Sequence, residues 1–314
     1  MIKTPLSTVI GGAFWTPGTT VINGAKLSFE TVMKKLFANG EQGFYQDPYD
    51  LGVMYQDSAG TIAVNASGQP LGVVLDKSKG LVLGIEKLSN NDFSNNGVGW
   101  VIAGGVPTYV GGVVTLTLQA GDTGVIYQDI SVPAGRWVKI TARAKYSNAQ
   151  SFGLNVYDGG GYTNYKGVIV FGTAFEEKSG YFFSTTGSLR VRMRLGTSTT
   201  TGTGDVDYIS VKEIAGNHAY QTTSAARPIL QNNPSRIDFD AIDDKLITTL
   251  PAQLTGCTVI RAVPNVGTQI LTGQTIPSTY EDNKDHCGLI VINRALTPSE
   301  TSAIATEFNK RTGV

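Results

Sequence analysis

"LRVRMRLG", residues 189–196, alternates without a break. In an extended chain Leu189, Val191, Met193 and Leu195 fall on one side, and Arg190, Arg192 and Arg194 fall on the other. A helix would set Arg192 nearly opposite Arg190 and Arg194. A period of two places one face in a core and leaves the other outside. Segments of the same kind lie before and after it: "VVTLTLQA" (113–120), "VIYQDISV" (125–132), "WVKITARAKY" (137–146), "SFGLNVYD" (151–158) and "VDYISVKEI" (206–214). Between them sit turn residues, in a chain that carries 38 glycines. Short strands joined by turns from Glu86 to Ile214 predict a β-sandwich.

The remainder of the chain bounds the answer. Its 314 residues suit about two domains. With 25 Lys+Arg against 25 Asp+Glu it lacks the basic footprint that nucleic acid requires. No run of about 20 apolar residues is present, so no membrane insertion is expected. "MIKTPLSTVIGGAFW" at the start makes a poor signal peptide. Two helices are predicted. In "KLSFETVMKKLFANG", Ser28 caps, Glu30 favours the first turn, Phe29, Val32, Met33, Leu36 and Phe37 form a stripe, and Gly40 ends it. In "LTPSETSAIATEFNKRTG", Thr297 and Glu300 form a capping box, Pro298 opens the helix, and Ala303, Ile304 and Phe308 make its apolar side.

Three stretches carry resemblances. "LFANGEQGFYQDPYDLGVMYQDSAGTIAVNASGQPLGVVLDKSKG" (36–80) resembles a segment of tailed-phage virion structural proteins of the tail-fibre or receptor-binding kind. "EKLSNNDFSNNGVGW" (86–100) and "GDVDYISVKEI" (204–214) look like the first and last strands of carbohydrate-binding jelly rolls. "GNHAYQTTSAARPIL", "IDFDAIDDKLITT" and "CGLIVINRALTPSETSAIATEFNKRTG" are similar to the ends of concanavalin-like or laminin-G-like sandwiches. The expected fold is therefore all-β. A jelly-roll β-sandwich stands beside a smaller β domain, with a short N-terminal helix and a C-terminal helix. The expected divisions are a virion-attachment segment at 1–40, the first part of the small β domain at 41–87, the carbohydrate-binding-like jelly roll at 88–214, and a lectin-like segment ending in a helix at 215–314. Residues 41–85 are too few to bury a core alone, which favours a split domain with the jelly roll inserted.

"YDGGGYTNYKG" (157–167) reads as a ligand loop, because Tyr157, Tyr162 and Tyr165 offer flat amphipathic faces on a glycine-rich segment. An ordinary hairpin loop is the plainer reading. Arg190, Arg192 and Arg194 could meet anionic sugars, another subunit's carboxylates, or only solvent. Trp100 and Trp137 read as core. Asp47 and Asp57 could pair for glycoside hydrolysis, but each lies in a turn signal, and turn chemistry accounts for both. "YQD" at 127–129 lies within a strand and marks no repeat. Asp240, Asp243 and Asp244 could hold calcium or fix a hairpin, and turn propensity favours the hairpin. Cys257 and Cys287 could pair or serve as buried small hydrophobes. No nucleophile elbow is present, and His218 and His286 sit in turn-like contexts. The jelly-roll resemblance also implies a structural calcium near Asn91 and Asp207, although Tyr208 stands where that family often has a second Asp. No other cofactor is expected.

The resemblances together imply a non-enzymatic bacteriophage protein located in the virion and assembled in the host cytoplasm. It would be a tail fibre or receptor-binding appendage that meets host cell-surface polysaccharide. Its N-terminal region would hold other virion proteins. A homotrimer is expected from the family, with avidity multiplying a weak sugar affinity, although the sequence has no heptad or collagen-like repeat. A capsid decoration or head-fibre protein is the first alternative. A polysaccharide depolymerase is the second, without the stacked β-helix repeats such enzymes usually carry.

Overall fold

The computed structural model describes residues 8–10, 13–15, 28–118, 124–147, 151–196 and 202–314. In it the alternating segment is the strand Ser188–Leu195, the middle strand of a five-stranded antiparallel sheet. Phe152–Asp158 and Val125–Ser131 flank it, and Tyr165–Val170 and Val101–Ile102 form the edges. A second sheet runs in the order Glu176–Ser184, Arg136–Ser147, Gly202–Ile214, Val113–Leu118, Val106–Val110. Leu189, Val191, Met193 and Leu195 meet Val138, Ile140, Ala142, Val206, Ile209 and Val211 in the single core between the sheets. Each such aliphatic side chain stabilises the fold by about 1.5–3 kcal/mol relative to exposure. This is the β-sandwich that the alternation predicts, at the place where the resemblance implies a jelly roll. Trp100 and Trp137 are both buried. The strand Leu83–Glu86 pairs with Gly202–Ile214, so the chain enters and leaves the sandwich at one place.

Strands from before and after the sandwich share two further sheets. Gly43–Gln46 pairs with Leu289–Ile292, which continues into Leu254–Val263 and Gly267–Ile276. Met54–Tyr55 and Val73–Val74 align with Ala219–Tyr220, Leu246–Thr249 and Thr279–Asp282. Gly43 permits the first pairing. Its φ is +138°, and a Cβ there would lie 1.9 Å from the Val291 carbonyl oxygen. Helices α1 (Phe29–Leu36) and α2 (Pro298–Thr312) cover one face of that sheet, where Val32, Leu36, Tyr45, Ile290, Ile304 and Phe308 pack together. The caps are those the sequence indicates: Ser28 on α1, and the Thr297–Glu300 box on α2. Helix α1 stops earlier than its stripe suggests, at Leu36, and the chain turns through Gly40 at φ +89°. Cys287 belongs to the helix-covered core and Cys257 to the core on the opposite face. They are free, buried thiols on the two sides of one sheet.

The sandwich rests on this base through Trp137, Tyr181 and Ile214, which pack with Val53, Met54, Val73, Leu75 and Leu246. The turn at Asp57 wedges between two sandwich strands. The Asp57 carboxylate accepts the Thr61 and Ile62 N–H groups at 2.9 and 2.8 Å, and the Tyr181 N–H donates to the Ala59 carbonyl at 2.7 Å.

Beneath Trp137 lies a buried polar junction. The wholly buried Asp76 carboxylate accepts N–H groups of Tyr45 (2.8 Å), Ser78 (2.7 Å) and Asn217 (2.7 Å), together with the Ser78 hydroxyl (2.8 Å). Its own N–H donates to His218 Nδ1 at 2.8 Å. The imidazole stands edge-on to Trp137, 5.6 Å between centroids. Burial pushes Asp76 up to about 6 against the pull of its donors, and burial alone drives His218 down to about 3. The two have opposite signs. A raised carboxylate favours the fold at low pH, and that contribution fades as pH rises through the folded pKa. A depressed histidine favours the fold above its unfolded pKa, and that contribution is lost on acidification. Replacing His218 with Gln therefore costs most near neutrality. The stability gap between wild type and His218→Gln, measured by denaturant unfolding, should narrow by about 2–3 kcal/mol between pH 7 and pH 4.5, because wild type alone carries the histidine penalty.

Candidate functional site

The arginines that alternate with the core residues line the outer face of the five-stranded sheet. Cross-strand register sets them in rows. Arg190 lies between Tyr157 and Asp129, Arg192 between Asn155 and Tyr127, and Arg194 between Gly153 and Val125. Successive rows are about 7 Å apart, the rise of two strand residues.

Arg190 is buried. Its Nε and Nη2 donate to the two Asp129 carboxylate oxygens at 2.7 Å each, a side-on pair. The hydrogen bond to Asp129 raises the arginine pKa still further. The guanidinium carbon lies 4.2 Å from the centre of the Tyr127 ring and 4.6 Å from that of Tyr162. Arg192 lies 4.8 Å from the same Tyr162 ring and donates from Nη1 to the Tyr157 hydroxyl at 3.4 Å. Tyr157 meets the Tyr162 and Tyr165 rings at 5.5 Å, and Tyr127 meets Tyr162 at 6.4 Å, edge-on. Tyr162 and Tyr165 remain 47% and 51% exposed, so part of each ring is open to a ligand. The result is an interleaved platform of phenol rings and guanidinium planes, suited to stacking and to edge hydrogen bonds.

The expected loop is shorter than its sequence suggests. Tyr157 and Tyr165 oppose each other at the ends of paired strands, so only residues 159–164 turn. Asp158 anchors that turn. Its buried carboxylate accepts the Thr185 N–H at 2.9 Å, the Thr186 N–H at 3.3 Å, and the hydroxyls of both threonines, with Lys166 Nζ at 3.1 Å. Burial raises this carboxyl, but the threonine donors and Lys166 outweigh it and hold the pKa below its usual range.

The other sequence candidates do not join the platform. Asp47 is buried and bound to Lys77 at 2.9 Å and Arg311 at 2.7 Å, tying the N-terminal part of the base to the end of α2. Asp57 shapes the wedge turn. Asp240 Oδ1 accepts the N–H groups of Ile242, Asp243 and Asp244, and the three carboxylates of Asp240, Asp243 and Asp244 lie within 4.8 Å of one another on an exposed turn. Asp207 lies on the opposite sheet and is engaged by Arg143, and the carbonyl of Asn91, in a turn beside that sheet, accepts the Ile209 N–H at 2.9 Å. Both histidines of the turn-like contexts are buried. His286 is fully buried, its Nε2 3.1 Å from Asp282, which also binds Arg261 at 2.6 Å. Of the segment 1–40, residues 1–7, 11–12 and 16–27 lie outside the described residues, as do residues 197–201 of the polar loop expected at 197–204. Tyr127 and Asp129, which the sequence reading passes over, complete the platform. The alternation in "VIYQDISV" is the signal that places them on the arginine face.

Neither a family model nor a curated protein sequence matches the chain. Among solved structures it is similar to a family 4 carbohydrate-binding module (CBM4), with 13% identity and a TM-score of 0.34 over 40% of this chain and 99% of that one. It is also similar to TmCBM61 solved with β-1,4-galactotriose, with 17% identity and a TM-score of 0.33 over 41% of this chain and 98% of that one. The enzymatically active domain of bacteriophage CBA120 tailspike protein 4 is similar at 17% identity and a TM-score of 0.31, over 40% of this chain and 21% of that one.

Removing the anchor of the tyrosine turn should be costly. Asp158→Ala removes the buried acceptor shared by Thr185, Thr186 and Lys166 and is expected to destabilise the fold by about 1.5–3 kcal/mol, the range for hydrogen bonds to a charged group. Amide exchange should quicken first at residues 159–164 and 185–187. Unchanged exchange there would show that the turn does not depend on Asp158.

Proposed function

We propose that the chain is a non-enzymatic virion protein of a tailed bacteriophage that binds host-surface glycan through the tyrosine–arginine face. The observation that carries the glycan reading is the open Tyr162 ring. It is held in place by Arg190, Arg192, Tyr127 and Tyr157 while 47% of its surface stays free. Sugar rings present flat C–H faces rimmed by hydroxyls, and a fixed phenol beside guanidinium donors complements both features at low entropic cost. Binding residues borne on a rigid sheet are pre-organised in the manner such recognition needs.

The virion reading is supported by the resemblance of residues 36–80 to tailed-phage structural proteins. On this reading residues 88–214 are the glycan-reading head, and residues 41–87 and 215–314 form its mount. Residues 1–40 attach to the particle, and trimeric display supplies avidity. The face gives no reason to expect catalysis, since its carboxylate, Asp129, is committed to Arg190.

The test is binding of the purified chain to an array of bacterial surface polysaccharides, followed by titration of each hit. Tyr162→Ala is expected to weaken binding at least about tenfold, a loss of about 1.4 kcal/mol, with an unchanged melting temperature. Wild-type affinity in that variant would exclude the face as the binding site.

A further inference from the structure

The face holds three arginines, and among the described residues only Arg190 has its charge met. Asp129 takes both donors of the Nε edge of Arg190. Arg192 and Arg194 have no carboxylate partner among the described residues, and the Nε of each is shielded from water with no acceptor. A shielded donor without an acceptor leaves free energy to be recovered by any ligand that supplies one. The two side chains stand on alternate positions of one strand, both on the platform side and about 7 Å apart.

Resting on the glycan reading above, we infer that the platform selects acidic polysaccharide, with a uronic-acid carboxylate seated against Arg192 and Arg194 while a sugar ring lies on Tyr162. Charge complementarity points to an anion, and the Arg190–Asp129 pair on the same face favours a carboxylate. The planar fork accepts a carboxylate side-on in the manner Arg190 already shows with Asp129, two rows from Arg194 on the same face. Seating a carboxylate there requires the guanidinium to turn its unpaired Nε edge outward. Arg190, neutralised by Asp129 and clasped between two rings, serves instead as the fixed floor under Tyr162. Neutral sugars would still stack but would leave both positive charges unmet.

The experiment titrates the full chain with a panel of uronate-containing oligosaccharides, tetragalacturonate among them, and with neutral counterparts such as galactotetraose, at low and at physiological salt. The expected result is at least tenfold tighter binding of acidic members, a preference that shrinks as salt rises. Arg192→Gln with Arg194→Gln should abolish the preference without lowering the melting temperature. The corresponding lysine pair should recover only part of it, since it keeps the charge and loses the fork. If neutral members bind as well as acidic ones, or the glutamine pair keeps the preference, the acidic-sugar inference is overturned while the glycan-binding face stands. If no member of either set binds, both readings fall. Binding of both sets with loss of neither in Tyr162→Ala would place glycan recognition elsewhere on the molecule and overturn the inference with it.

Discussion

A carboxylate taken wholly out of water has to be given donors, and Asp76 obtains its own from positions far apart in the chain. Tyr45 and Ser78 supply N–H groups from before the sandwich, Asn217 from after it, and His218 accepts the N–H of Asp76 itself. Leaving any of these unmet in a buried site costs about as much as the whole net gain of a hydrogen bond or more. The chain is thus held so that residues 83 and 214 come together, and the sandwich rises from that point with Trp137 over the junction. The direction in which the sandwich stands follows from this, and so does the freedom of its far sheet face.

One pattern then does two jobs. The period of two in Ser188–Leu195 supplies four core residues and three platform arginines, and neither set can move without the other. A register slip by one residue would bury three guanidinium groups and expose Leu189, Val191, Met193 and Leu195. The cross-strand neighbours enforce the same arrangement. Asp129 sits opposite Arg190, and Tyr127 opposite Arg192, so the correct register also brings the attractive side-chain pairs together.

Where the fold was legible in sequence, one face of a segment met water and the other a single core. The strands from Val113 to Leu195 with clean alternation are of this kind, as are both helix caps. Glu176–Ser184 was not legible. Tyr181 and Phe182 are adjacent and both buried, because Phe182 faces the sandwich core while Tyr181 faces the base. A strand covered on both sides loses its period. Gly267–Ile276 fails in the other direction, since most of its residues are exposed or half-buried, and polar side chains dominate it. At the platform, the tyrosines and arginines could be named from residue type, but the convergence of the two sets depends on cross-strand pairs such as Tyr157 with Arg190 and Tyr127 with Arg192, far apart in sequence. Asp76 and His218 left no mark at all. Short polar residues beside Lys and Gly look like surface turns until the chain that covers them is known.

The pairing of Gly43–Gln46 with Leu289–Ile292 also fixes an order in time. Every ladder of the sandwich closes within residues 83–214, so that unit can be complete on a growing chain before the last strand of the base exists. At the usual pace of synthesis the interval from residue 214 to residue 289 is roughly 4–15 s. Through that interval Phe44 and Tyr45 wait with an unpaired edge. Because the sandwich returns the chain to its starting point, it shortens the loop that must be closed rather than lengthening it. The inserted unit is, in effect, the splint on which the two halves of its own pedestal are set.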